Sequence, residues 1–275
     1  MIEDGPFDAP RQSRVERIDA AVPNPARVAD FLNGGRNNFE SDRRTAQTMT
    51  SIAPAIAAIV PFVLAWHQRA VRFLAREAGI RQFLDVGTGL PGAETGYDLV
   101  RSVDPASRVV HVDNDPMVLA HLRAFSSSTP PGAFAALDAR ITDPDRLLAG
   151  AARTLDFRRP VAVLLPSSLP FIASAERAAE LLSELMAPCR PGSYLGICHV
   201  TSDLDPAVAA GVDYWNKISA PHFTPRARDE VAGLVAGLDP VAPGLVPVDE
   251  WRPDPGAAPR DRPVPVYAML AAKKG

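Results

Sequence analysis

Arg81-Gln82-Phe83-Leu84-Asp85-Val86-Gly87-Thr88-Gly89-Leu90-Pro91-Gly92 constrains this chain more than any other stretch. A short apolar run carries one acid and drops straight into glycines. Gly87, Gly89 and Gly92 satisfy G-x-G-x-x-G, a pattern with many chance matches whose value comes from its context. Residues 83–86 read as a buried parallel strand, and residues 93–103 as the helix that follows it. Glycines at such a turn let the backbone approach a ligand closely, with helix N-terminal amides pointing at it.

Asp85 narrows the choice of ligand. A dinucleotide site holds a pyrophosphate at this turn, and a carboxylate beside it opposes that charge. S-adenosylmethionine carries an ammonium and a sulfonium, for which a carboxylate at the strand end is a suitable partner. A second strand, 108–112, ends in Asp113-Asn114-Asp115-Pro116. Gly87 to Asp113 is 26 residues, near the ~20 expected for the acid that grips a ribose. Asp113 has the acceptors for both ribose hydroxyls. A third strand, 133–137, ends in Asp138, placed to read an adenine amino group. Three strand ends carrying Asp make an acidic pocket, which favours a cationic nucleoside over a polyphosphate.

The rest of the chain alternates strand and helix, as in a parallel sheet with crossover helices. Helices are expected over 25–32, from Ser41, over 62–78 from Pro61, over 116–125, from the Thr142–Asp145 turn and over 175–187. Further strands are expected at 161–165, 194–200, 245–248 and 264–270. The fold class is α/β: a doubly wound, mostly parallel, seven-stranded Rossmann-like sheet with an N-terminal helical extension. The extension spans residues 1–60 and the core domain 61–275. A net charge of −3 gives no electrostatic reason to expect nucleic acid. Cys189 and Cys198 build no disulfide framework, so a reduced, cytoplasmic setting is expected. The apolar run 52–66 holds two prolines and falls short of a bilayer span, so no membrane association is expected.

With these elements in place, residues 83–89, Val112-Asp113-Asn114-Asp115-Pro116 and Leu137-Asp138-Ala139-Arg140 resemble the first three motifs of class I S-adenosylmethionine-dependent methyltransferases. Residues 25–39, 81–91, 243–246 and Trp251-Arg252-Pro253 are similar to an actinobacterial family of such enzymes long catalogued as a domain of unknown function. The resemblance covers nearly the whole chain in motif order. It implies S-adenosylmethionine as cofactor, bound by Asp85, Gly87, Thr88, Gly89, Asp113, Asn114, Asp138 and Ala139. It also implies that the loop bearing Gly34, Gly35, Arg36, Asn38 and Phe39 folds over the cofactor as a lid; from composition alone that loop reads as a helix cap. Members commonly carry Tyr at Ala29, an Asn-Arg pair near Val63 and Leu64, and His at Pro170.

Methyl transfer from a sulfonium asks mostly for positioning and only sometimes for a base. His199, near the end of the fifth strand, is the weak catalytic candidate; the alternative is a buried histidine supporting a loop. His222 is a weaker one, His111 reads as core, and His67 and His121 as surface or packing residues. No cluster has metal-ligand spacing, so no metal is expected. The leading expectation is a methyltransferase with a small-molecule acceptor. A non-catalytic binder of the same nucleoside and a nicotinamide-dependent oxidoreductase stay open as alternatives. The oligomeric state is open as well, a homodimer included.

Overall fold

A computed structural model describes residues 18–91, 96–126, 133–258 and 260–275. The chain opens with α1 (Pro25–Leu32), whose start is fixed by Pro25 and by the Asn24 side chain accepting from the amides of Ala26 and Arg27. Gly34, at φ +77°, turns the chain out of the helix. α2 (Glu40–Ile52) and α3 (Ile56–Arg76) then meet at a bend of 107°. Next come β1 (Gln82–Val86), α4 (Gly96–Val103), β2 (Arg108–Asp113), α5 (Pro116–Ser126), β3 (Phe134–Asp138), α6 (Pro144–Ala151) and β4 (Ala162–Leu165). A single 3-10 turn, Leu169–Phe171, precedes α7 (Ala175–Met186), β5 (Tyr194–Val200), α8 (Ala207–Ile218) and α9 (Arg228–Gly233). The chain ends with β6 (Asp239–Pro240), β7 (Val246–Pro247) and β8 (Val266–Ala272).

The sheet order is β3-β2-β1-β4-β5-β8-β6, with β7 also paired to β8. β1 to β5 run parallel and β8 is antiparallel to β5. The order of winding reverses between β1 and β4, and the carboxyl ends at such a switch point are where open α/β sheets bind ligands. β1 is buried along its whole length, as a strand covered on both faces must be. One face packs under α3, α4, α5 and α8 through Trp66, Val100, Val118 and Val212; the other under α6, α7 and α9 through Leu147, Leu181 and Val231. α3 lies so close to β5 that a Cβ on Gly196 would sit 3.3 Å from the Trp66 ring, and only 2.6 Å from the Leu164 and Leu270 side chains. Trp66 and Trp251, both fully buried, meet edge to face at 6.1 Å, and Arg69 donates to the Val248 and Trp251 carbonyls. The 251–253 motif is therefore structural, anchoring the C-terminal segment beneath α3.

Three expectations are corrected. The described residues hold eight strands, not seven, because the edge beyond β8 is shared by β6 and β7. Pro243, which lacks an N–H, and Gly244 at φ +85° break it in two. α2 begins at Glu40 without a Ser41 cap: Ser41 donates to the Ala20 carbonyl, and Asp42 takes the Phe39 amide instead. α3 begins at Ile56, so Pro61 and the expected 60/61 boundary lie inside a helix. The tight first turn, with Ala57 and Ala58 bonded to Pro54 and Ala55, nucleates it, and the carbonyl Pro61 leaves unpaired belongs to Ala57, on the outer side of the helix. Gly92, the third glycine of the motif, lies outside the described residues, as do residues 93–95.

Candidate functional site

At the switch point, Gly87 and Gly89 take φ +73° and +69°, angles an L side chain resists. A Cβ on Gly87 would lie 2.8 Å from that of Ser168, whose hydroxyl donates to the Val86 carbonyl; a Cβ on Gly89 would meet nothing within 4 Å among the described residues. The Gly87 turn is thus wedged under the loop after β4, while the Gly89 side leaves room for a ligand. Asp113 closes the turn from the next strand. Its Oδ2 accepts from the Gly89 amide at 3.0 Å, and its Oδ1 from the Asn114 and Asp115 amides at 2.8 and 2.9 Å. Burial pushes the Asp113 carboxyl above its usual range, against the pull of those amides. A carboxylate has about four lone-pair sites, so three amides leave little for the two ribose hydroxyls expected of it. Asp138 stands in register beside Asp113, exposed and with no side-chain hydrogen bond among the described residues. The Ala139 amide is taken by the Asp113 carbonyl at 3.3 Å, and Ala139 itself is core.

Asp85 departs furthest from the sequence reading. Strand alternation sends its side chain to the Phe83 face, beneath α3, and not out of the strand end. There it is 4% exposed, with His111 opposite it on β2 and His67 above it on α3. The Thr88 hydroxyl donates to the Asp85 carbonyl, so the His111 Nδ1–H is the donor in its 3.1 Å contacts with Thr88 Oγ1 and Asp85 Oδ2. His67 Nε2 stands 3.5 Å from the same Oδ2, an ion-pair distance outside hydrogen-bond geometry. Burial raises the Asp85 carboxyl, but His67's charge and the histidine contacts outweigh it and hold the group well below the usual carboxylate range. Asp85 Oδ1 is buried with no hydrogen-bond partner among the described residues. His67 and His111, read from sequence as packing residues, are the partners of Asp85 that the sequence reading missed.

The N-terminal segment is fastened beside these strand ends. Asn24 donates to Asp115 Oδ2 at 2.8 Å, just past β2, and the adjacent Pro23 carbonyl accepts from Ser219, at the end of α8, at 2.8 Å. Asp42, fully buried, accepts from Arg27 Nε and from the Asn24 and Phe39 amides. Phe39 lies 5.0 Å under the Arg27 guanidinium. Asp30 shapes the loop: it accepts from the Asn37 amide and the Asn38 side chain, and a Cβ on Gly35 would collide with it. Gly34 is exposed, and Arg36 projects with no ion-pair partner among the described residues.

His199 is not placed as a base. It is fully buried, its Nδ1–H donates to the Val200 carbonyl, and its Nε2 accepts from Arg226 at 2.7 Å, so no lone pair remains. Burial first, then the Arg226 charge, lower its pKa to about 4 despite the Val200 bond. Arg226 also donates to the Leu169, Ile172 and Ala173 carbonyls, stapling the loop after β4 to β5. His222 remains exposed on its loop. Both cysteines are free and buried, and burial pushes their thiols up, leaving no ready thiolate. No group of metal-ligating side chains forms among the described residues, and no single helix is long and apolar enough to cross a membrane.

S-adenosylmethionine fits this arrangement: a glycine with open space where a Cβ would stand, and an orphaned buried carboxylate oxygen two residues before the turn's first glycine. The comparisons agree. The model of the S-adenosyl methyltransferase family matches residues 11–274. A DUF574 family protein from Streptomyces avermitilis is similar at 34% identity and TM-score 0.88, over 94% of this chain and 100% of that one. A methyltransferase candidate from Thermobifida fusca is similar at 33% identity and TM-score 0.86, over 93% and 96%. An O-methyltransferase family protein from Burkholderia thailandensis, at 17% identity and TM-score 0.52 over 86% and 61%, shares the fold alone. No curated protein matches the chain. The nicotinamide alternative is set aside, and the chain belongs to the S-adenosyl methyltransferase family as an S-adenosylmethionine-dependent methyltransferase.

Proposed function

We propose that this methyltransferase acts on a small molecule, with its cofactor across the carboxyl ends of β1 and β2 and the 24–52 segment as cover. The observation that carries the reading is the fastening of that segment's leading end beside the switch point, where the adjacent residues Pro23 and Asn24 bond to Ser219 and Asp115 and the buried Asp42 ties α1 to α2. A helical cover fastened beside the strand ends suits a compact acceptor better than a polymer. Bound S-adenosylmethionine supplies an electrophilic methyl group with a good leaving group. The chain's own residues then bind, orient and exclude water, contributions that reach ~7–11 kcal/mol at best. Gly89 offers the open backbone and Asp138 a free acceptor. Arg36, Asn37 and Asn38 supply donors from the cover, with the cofactor's carboxylate as the partner of Arg36. His222 is retained as the acceptor-side titratable group. The two unpaired thiols support a reducing, cytoplasmic setting.

Calorimetry with S-adenosylmethionine, S-adenosylhomocysteine and NAD tests the site: both sulfur nucleosides bind and NAD does not. A screen of small-molecule acceptors with a radiolabelled methyl donor tests turnover. Binding without transfer to any acceptor, small or macromolecular, returns the non-catalytic alternative. Limited proteolysis tests the cover, since S-adenosylhomocysteine slows cleavage at Arg36 and Arg43. Equal cleavage with and without bound ligand makes the segment a scaffold.

A further inference from the structure

The Asp85 cluster holds more unsatisfied polar chemistry than folding requires. Asp85 Oδ1, His67 Nε2 and His111 Nε2 are all buried, all without a hydrogen-bond partner among the described residues, and all in one knot between α3, β1 and β2. A lone buried carboxylate with a single good donor is costly; a proton on His67 supplies the missing counter-charge. A cation arriving at Oδ1 does the same work, and the two cations then repel across one carboxylate.

Resting on the cofactor placement proposed above, we propose that His67 is the titrating partner of the cofactor. In the ligand-free protein it is the imidazolium that balances Asp85, and it releases its proton to solvent when the cofactor's α-ammonium is drawn to Oδ1. His111 is the positioning residue: its Nδ1–H holds Oδ2, which leaves Oδ1 as the free oxygen. The His67 side chain is 11% exposed overall, while its Nε2, the nitrogen that faces Asp85, is buried.

Other charged groups on elements packed against α3 are engaged elsewhere or exposed. Arg69 serves the Val248 and Trp251 carbonyls. Arg27 is bound to Asp42, and Asp30 holds the 34–38 loop. Asp98 and Arg101 on α4 have their own interactions. Burial lowers the His67 pKa, but the Asp85 charge reverses this and leaves it raised from 6.5. A proton is therefore present to be lost at and below that pH.

The test is calorimetry of S-adenosylhomocysteine binding to the whole protein at pH 6.5 in buffers of different ionisation enthalpy, which counts protons directly. Roughly one proton leaves per ligand bound, and affinity climbs by up to about tenfold per pH unit until His67 is neutral. 5′-Methylthioadenosine, which lacks the ammonium, binds with no proton release. His67→Gln abolishes release and flattens the pH dependence while retaining binding. Histidine ring NMR titration of the unmutated protein reads the same event, as a fall in one buried imidazole's pKa on adding ligand. Binding without proton release overturns the inference and leaves the methyltransferase site standing. Release that persists in His67→Gln, or that accompanies methylthioadenosine, also overturns it. A protein that binds neither sulfur nucleoside overturns the parent placement, and this inference with it.

Discussion

Asp42→Ala separates the covering segment from the core. Asp42 is fully buried and accepts three donors: Arg27 Nε at 2.8 Å, the Asn24 amide at 2.9 Å and the Phe39 amide at 2.8 Å. Removing one partner of a buried ion pair costs about 3–5 kcal/mol, because the other charge stays buried and uncompensated. Arg27 keeps bonds to the Asp19 and Val22 carbonyls, which offsets part of that. The two amides are only partly buried, so water replaces their acceptor and adds little. A loss of roughly 4 kcal/mol is a large share of the 5–15 kcal/mol that stabilises a domain, but all of it falls on residues 24–52. The expected result is local opening: hydrogen exchange in α1 and α2 accelerates by about a thousandfold, one decade per ~1.4 kcal/mol, while β1, β4 and β5 keep their protection. Affinity for S-adenosylhomocysteine falls in parallel, and Asp42→Asn, which retains one acceptor oxygen, loses less. Uniform acceleration across the sheet refutes the reasoning, because segment and core would then be one cooperative unit.

Asp113→Ala weakens S-adenosylhomocysteine binding by roughly 1.5–3 kcal/mol, since a charged acceptor and the clasp on the Gly89 amide go together; unchanged calorimetric affinity places the ribose elsewhere. Gly87→Ala destabilises by about 1–2 kcal/mol from its positive φ alone, plus the collision with Ser168. Ser168→Gly in the same chain recovers the collision part and not the backbone part, which a double-mutant cycle of denaturant melts resolves. His199 is neutral when folded, with a pKa of about 4 against an ordinary value of 6.5, so the unfolded chain binds the extra proton between those values. Stability is complete above pH 6.5 and falls by about 3 kcal/mol as pH drops to 4, at 1.36 kcal/mol per unit. His199→Gln, which still accepts from Arg226, loses that slope in acid melts.

Periodicity and capping chemistry made most of the framework legible. α1 begins at Pro25 and ends at Leu32 as read from Pro25 and the Asn33-Gly34-Gly35 turn, and the five parallel strands fall where short apolar runs lie between turn residues. Elements held by contacts distant in sequence were not legible. β6 is two residues long and exists only because β8 offers it an edge. The α2 start depends on Asp42 also serving Arg27 and Asn24, so a local search for a serine cap finds the wrong residue. In the site, the glycines and strand-end acids were visible, but their partners were not. His67 reaches Asp85 from another element, and His111 only through register, neither encoded in local spacing. Asp30 left one trace, an acid five residues before a glycine whose Cβ position it fills.

The three strand-end carboxylates look alike in sequence and have three fates, decided by where the strand releases the chain. Asp85 is the penultimate residue of β1, still pleated, so it points into the layer beneath α3 and is met by histidines. Asp113 is the last residue of β2 and folds back over the glycine turn; Asp138 ends β3 and stays exposed. Selection against a pyrophosphate therefore does not reside where the sequence suggested, in repulsion by Asp85. It resides in the amides. The Gly87 N–H is spent on the Val112 carbonyl and the Gly89 N–H on Asp113, so the donors that a phosphate cradle presents are already occupied, one of them by an anion. A phosphate at this turn would have to displace a carboxylate from its own hydrogen bond and then sit beside it. Asp85 Oδ1 and the Asp138 carboxylate, by contrast, are acceptors without a hydrogen-bond partner among the described residues, the first buried and the second exposed.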